Sequence, residues 1–131
     1  MLSTTELLNA QLNQDQTILA SGARTTTQTG SDISVVGCNA AIVTLDVTTA
    51  GTGSITVLIE GKDTISGKYR TLLTGAAVTT VTTNVYKVGP TVAASANAIA
   101  QDYMPSTIRV TVTHNNANTI TYSVGLCTSR I

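Results

Sequence analysis

Ala41-Ile42-Val43-Thr44-Leu45-Asp46-Val47-Thr48 is followed by Thr49-Ala50-Gly51-Thr52-Gly53 and then by Ser54-Ile55-Thr56-Val57-Leu58-Ile59-Glu60. In the first run Ala41, Val43, Leu45 and Val47 alternate with Ile42, Thr44, Asp46 and Thr48, so one face is continuously apolar and the other mixed. After the glycine-rich turn, Ile55, Val57 and Ile59 alternate with Thr56, Leu58 and Glu60 in the same way. Two half-buried strands around such a turn predict a β-hairpin. A second case lies near the end of the chain. Ile108, Val110 and Val112 alternate with Arg109, Thr111 and Thr113; His114-Asn115-Asn116-Ala117-Asn118 turns the chain; and Ile120, Tyr122 and Val124 return.

Working outward, further short β-type runs fall at Thr17–Ala20 and Ala23–Thr29, broken at Gly22, and at Ile33–Cys38, Tyr69–Leu73, Ala77–Val81 and Val85–Val88. Lys62–Lys68 is a polar loop. Gly89–Pro105 is alanine-rich and framed by the two prolines, which end regular ladders; it reads as a connection with one helical turn across an end of the molecule. Roughly eight to ten short strands with turns between them indicate a sandwich or barrel. No helical segments alternate with the strands, which excludes a parallel α/β sheet. The expected fold is therefore all-β, an antiparallel β-sandwich, jelly-roll-like or immunoglobulin-like. The absence of tryptophan disfavours a true immunoglobulin domain.

Residues 17–131 make the single expected domain, and 1–16 a short N-terminal arm. There Ser3-Thr4-Thr5-Glu6 fits a capping box and Leu7, Leu8 and Leu12 share one side of a helix. A helix that short is marginal alone, so the arm must dock on its own domain or on a neighbouring subunit to be ordered.

Composition narrows the function. Only 11% of the 131 residues are charged, against about 25% in an ordinary domain, and the net charge is zero. Twenty-six threonines, with serine and asparagine, supply the polar exterior instead. Without a basic run, Trp or Phe the chain lacks the footprint of a nucleic-acid binder. It also lacks an apolar stretch long enough to span a membrane and a signal-peptide pattern. Cys38 and Cys127 have no metal-ligand spacing and are expected as two buried thiols, with a bridge as the alternative in an oxidising medium.

Chemistry-bearing residues are few. His114, the single histidine, is placed in a solvated turn with no ligand-type neighbours. Asp46 and Glu60, on outward positions of strands expected to pair, approach one another in that reading but face solvent or a subunit. Gly51-Thr52-Gly53 is too short to cradle a phosphate. These patterns lead to no enzyme, cofactor or metal. Sugar binding needs exposed aromatic platforms; Tyr122 is expected in the core, Tyr69 and Tyr86 packed similarly, and Tyr103 exposed. A nearly uncharged surface with only two prolines and three lysines does little to repel copies of itself or to block strand edges.

The order of four segments resembles a known group. They are Thr17-Ile18-Leu19-Ala20-Ser21-Gly22-Ala23-Arg24-Thr25; Leu45-Asp46-Val47-Thr48; Ile59-Glu60-Gly61-Lys62-Asp63 with Ser66-Gly67-Lys68-Tyr69; and Arg109-Val110-Thr111-Val112 through Thr121-Tyr122-Ser123-Val124-Gly125. The pattern resembles small all-β structural proteins of tailed bacteriophages, many of which are capsid decoration or cement proteins. The resemblance implies a virion protein, made in the host cytoplasm, that binds the major capsid protein as a homo-oligomer, a dimer or trimer, with no nucleic-acid or membrane partner. The implied contacts are the arm through Leu7, Leu8 and Leu12, and the loops around Lys62–Lys68 and Thr91–Tyr103, with Lys62, Lys68 and Tyr103 as their contact residues. The alternatives are a neck or tail component and a host- or glycan-binding module.

Overall fold

A computed structural model describes residues 14–130. Ten strands occur in them: β1 (Gln14–Arg24), β2 (Gln28–Thr29), β3 (Ile33–Ser34), β4 (Ala40–Thr49), β5 (Ile55–Lys62), β6 (Tyr69–Thr74), β7 (Thr82–Gly89), β8 (Ile99–Gln101), β9 (Thr107–His114) and β10 (Ile120–Ser129). One sheet has the order β1-β10-β4-β7-β8. The other has β2-β9-β5-β6, with β3 also on β9. The chain is thus an all-β sandwich, antiparallel except where β8 runs parallel to β7.

The alternation read from the sequence sets the two faces of each central strand. Val43, Leu45 and Val47, Ile55, Val57 and Ile59, Ile108, Val110 and Val112, and Ile120, Tyr122 and Val124 are all buried in one cluster. Burying each such aliphatic side chain contributes about 1.5–3 kcal/mol, so this shared interior is the main stabilising term.

The pairing differs from expectation, because neither predicted hairpin forms. β4 lies between β10 and β7, whereas β5 lies in the other sheet between β9 and β6. β9 and β10 are likewise in opposite sheets. Residues 50–54 and 115–119 are therefore arches that carry the chain across the sandwich. An arch turns the apolar faces of two successive strands toward each other across a core about 10 Å thick. A hairpin lays them side by side, and the in–out alternation is the same in both.

The two arches lock together at what we call the arch end. Asn115 Nδ2 donates to Ser54 Oγ and Thr56 Oγ1, both at 3.0 Å. Asn116 and Asn118 each donate a side-chain N–H to the Thr52 carbonyl. Gly53 has no room for a side chain, since a Cβ there would lie 2.8 Å from Ile120 Cβ and 3.1 Å from the Ala50 carbonyl oxygen.

Other expectations shift at the edges. β1 starts at Gln14, inside the stretch assigned to the arm, and runs through Gly22 by means of two register shifts. The rest of the arm, with Leu7, Leu8 and Leu12, lies outside the described residues. Ala77–Val81 is not a strand; only Val78 bridges to Ile55. The alanine-rich connection holds no helical turn but forms β8. There the Lys87 N–H on the free edge of β7 donates to the Ala98 carbonyl at 2.9 Å, which a helical turn would not provide. The single consecutive antiparallel pair among the described strands is β5–β6.

Cys38 and Cys127 are not joined in a disulfide and are only partly buried, not core residues. Cys127 alternates with the buried Leu126 and Thr128 and so points outward. A hydrogen bond to Asp15, followed by burial, pushes its thiol pKa up.

Candidate interaction surface

The end opposite the arches collects the close of β5, the start of β6, the close of β8 and the start of β9. Register places Lys62 opposite Tyr69 on β5–β6 and Gly61 opposite Ile108 on β5–β9. β1 enters at this end too, with Gln14 opposite Thr128.

Eight of the chain's fourteen charged residues are here: Asp32, Glu60, Lys62, Asp63, Lys68, Arg70, Asp102 and Arg109. Glu60 and Arg109 are cross-strand partners, and Arg109 Nε donates to Glu60 Oε1 at 3.0 Å. That bond is the first cause holding the Arg109 pKa above its ordinary value. The guanidinium lies over the Tyr69 ring, 3.5 Å from its centroid, a stacking that a planar cation permits. The Tyr69 hydroxyl donates to Asp32 Oδ1 at 2.6 Å, and Lys62 Nζ donates to Asp32 Oδ2 at 2.7 Å. The Lys62 bond and then the Tyr69 bond hold the Asp32 carboxyl below the usual carboxylate range. Tyr69 is therefore half-buried under a cation instead of packed in the core as Tyr86 and Tyr122 are.

The β5–β6 loop is built to be stiff. Asp63 accepts from the Ile65 N–H at 3.1 Å and the Ser66 hydroxyl at 2.7 Å, and the Gly67 N–H donates to the Asp63 carbonyl at 2.8 Å. Gly67 adopts φ +74°, a left-handed conformation that favours glycine. The Ser66 hydroxyl bond, then the Ile65 amide, lower the Asp63 pKa. This loop presents Ile65 at 94% exposure. Across from it, Arg70 Nη1 donates to Asp102 Oδ2 at 2.9 Å, tying β6 to the segment that presents Tyr103, 82% exposed. That bond lowers the Asp102 pKa. Val36, 64% exposed, follows Val35, whose N–H donates to the Ser106 carbonyl at this end.

Between the loop and residues 105–106 is a cleft of about 460 Å³, with Lys62, Lys68, Tyr69 and Arg70 on its walls. Pro105 forms part of the floor. It packs so close to β5 that a Cβ at Gly61 would come within 2.6 Å of its Cγ.

The structure thus brings Lys62, Lys68 and Tyr103 to one end of the sandwich. Ile65 and Asp102 fall inside the two loops expected to make contacts but were not singled out, while exposed Val36 and the clamps Asp32 and Arg109 lie outside them and were missed from the sequence. Gly67 after Asp63 was the one local signal of a rigid turn.

The residues weighed for catalysis do not meet. Asp46 accepts from Thr83 Oγ1 on the outside of one sheet, while Glu60 pairs with Arg109 on the outside of the other; the strands that carry them are not paired. His114 is not a solvated turn residue. Its Nε2 is 2.8 Å from the Tyr122 hydroxyl, its N–H donates to Thr27 Oγ1, and its Nδ1 is buried without a partner. Burial, with Arg24 nearby, pushes its pKa down, and burial raises that of Tyr122 to about 12. Among the described residues no group of three or more His, Cys, Asp or Glu side chains is placed to hold a metal ion.

No family model matches the chain, and no curated protein matches it. Among solved structures, the SPBc2 prophage-derived protein YomS is similar, with a TM-score of 0.53 over 89% of this chain and 93% of that chain. Sequence identity is 10%, so what this likeness shows is a shared fold.

Proposed function

We propose that the protein is a structural component of a phage particle that binds the outer capsid surface as a decoration or cement protein and stabilises the shell. The observation that carries this reading is the charged end of the sandwich, where a stiff loop and a clamped segment hold Ile65 and Tyr103 out in solvent. Rigid apolar side chains lose little freedom on binding and suit the centre of a protein contact. The remaining outer faces support it as well. The outward positions of β4 and β10 include Ile42, Thr44, Asp46, Ser123, Gly125 and Cys127, and Asp46 is the one charge on these outward positions. Such faces pack closely without burying unpaired charge. The fold likeness to a prophage-derived protein is consistent with a phage origin. In this reading the protein acts through contact with the major capsid protein and with its own copies, without a cofactor, and performs no catalysis.

Shells that lack the protein provide the test. The purified chain should co-sediment with them, and image reconstruction should then show added density on the capsid exterior. Density at a single vertex would move the protein to the neck or tail. No binding and no density would end the reading. The exposure of Tyr103 favours one second reading, a host- or glycan-binding module. For that, a glycan array should give a signal that Tyr103→Ala removes.

A further inference from the structure

We infer that the cleft between the β5–β6 loop and residues 105–106 is a carboxylate subsite, which takes an acidic side chain of a protein partner with Lys68 as its primary cation. The inference deepens the proposed function, and rests on that reading for the partner that supplies the acid.

Charge complementarity carries the argument. The cleft walls hold three cations, Lys62, Lys68 and Arg70, against one carboxylate, Asp63. Asp63 is exposed but tied to its own loop, its oxygens accepting from the Ile65 N–H and the Ser66 hydroxyl. Lys62 and Arg70 are steered by Asp32 and Asp102, at 2.7 and 2.9 Å. Both keep donors beyond those bonds, because an ammonium has three N–H groups and a guanidinium five. Their side chains remain 27% and 54% exposed. Lys68 forms no ion pair among the described residues, so its charge is the uncommitted one.

The geometry suits a polypeptide acid better than a free ion. The site is an open cleft of about 460 Å³ with no enclosing shell of backbone N–H groups. Thr64 and Ser66, the chain neighbours of exposed Ile65, line it, and Arg70 on its wall reaches the Tyr103 carbonyl at 3.5 Å. An acidic residue set between apolar neighbours would place its carboxylate at Lys68 while those neighbours cover Ile65 and Tyr103. Lys62 and Arg70 are already held by their clamps, which reduces the ordering cost of binding.

The probe is acetylated tetraglutamate amide, titrated into the isotope-labelled full chain and followed by amide chemical shifts, with tetraglutamine amide and inorganic phosphate as parallel arms. The expected result is saturable shifts with tetraglutamate at Ser66, Lys68, Tyr69 and Ser106, weakening as salt rises. Lys68→Ala should weaken binding about fivefold and Lys68→Glu about tenfold or more, in the range of an exposed charge contact and its reversal. Equal shifts with tetraglutamine, shifts spread equally over Arg24, Lys87 and Arg130, or a response to phosphate alone would each overturn the inference. Co-sedimentation separates it from the broader reading. Shells that bind wild type and Lys68→Glu equally sink the carboxylate subsite alone, whereas shells that bind neither, with the tetraglutamate response intact, sink the capsid reading alone.

Discussion

Replacing Gly53 by alanine tests the arch arrangement directly. In the structure the new methyl would sit 2.8 Å from Ile120 Cβ, 3.1 Å from the Ala50 carbonyl oxygen and 3.3 Å from that of Thr119. Two of these are backbone atoms and the third is a branched carbon of a fully buried residue, so none can swing aside as the end of a long side chain would. Overpacking of this kind costs about 1–3 kcal/mol. An unfolding entropy of about 2.1 cal/mol/K per residue amounts to roughly 0.28 kcal/mol/K for a chain of this length, so a cost of ~2 kcal/mol lowers Tm by ~7 °C. Gly125→Ala is the control. It lies mid-strand on the outer face of β10, where a Cβ meets nothing within 4 Å, and should change stability by less than about 0.5 kcal/mol. Thermal and urea unfolding followed by circular dichroism would give both values. If Gly53→Ala unfolds with Gly125→Ala and wild type, the 50–54 arch does not pack on Ile120 and the crossing of β4 to β5 as described is wrong.

Because the His114 pKa is lowered in the fold, the unfolded chain takes up that proton first as pH falls. Stability from the neutral ring should be full above about 6.5, decline as pH drops from there through the lowered folded value, and level off below it; urea midpoints across that range should show this slope, and His114→Gln should flatten it. Tyr122→Phe, which removes the partner of His114 Nε2, should cost about 1 kcal/mol, and an unchanged urea midpoint would show that the bond contributes nothing. Arg24 donates to the carbonyls of Ala20 and Gly22 on edge strand β1 and of Tyr122 on β10, so Arg24→Ala should free the edge for pairing and raise the sedimentation coefficient with concentration. An unaltered coefficient would rule out this guarding role. Asp63→Ala should speed hydrogen exchange at Ile65 and Ser66 while leaving the core amides protected, and exchange equal to wild type would show that the loop owes its stiffness to something else.

At the candidate surface the sequence made Lys62, Lys68 and Tyr103 legible one by one, as polar or aromatic residues in loops. It could not make legible that they share an end with Ile65, because that depends on how Arg70 reaches Asp102, 32 positions along the chain. His114 shows the same limit. Its neighbours in sequence are asparagines in a turn, and its ring nonetheless bonds to a core tyrosine eight positions later, on the opposite sheet.

By itself the sequence determined the central strands and their faces. Alternation with period two is local, and it correctly sent Val43, Leu45 and Val47 inward and Thr44 and Asp46 outward. Tertiary structure alone decided which strands are neighbours. A five-residue link such as residues 50–54 serves a hairpin or an arch equally well, and both preserve the alternation. The choice fell to non-local ladders, in which β4 pairs along its length with β10 and β7 while β5 pairs with β9 and β6. Two apolar faces then close on one another across a common core, which no local pattern can specify.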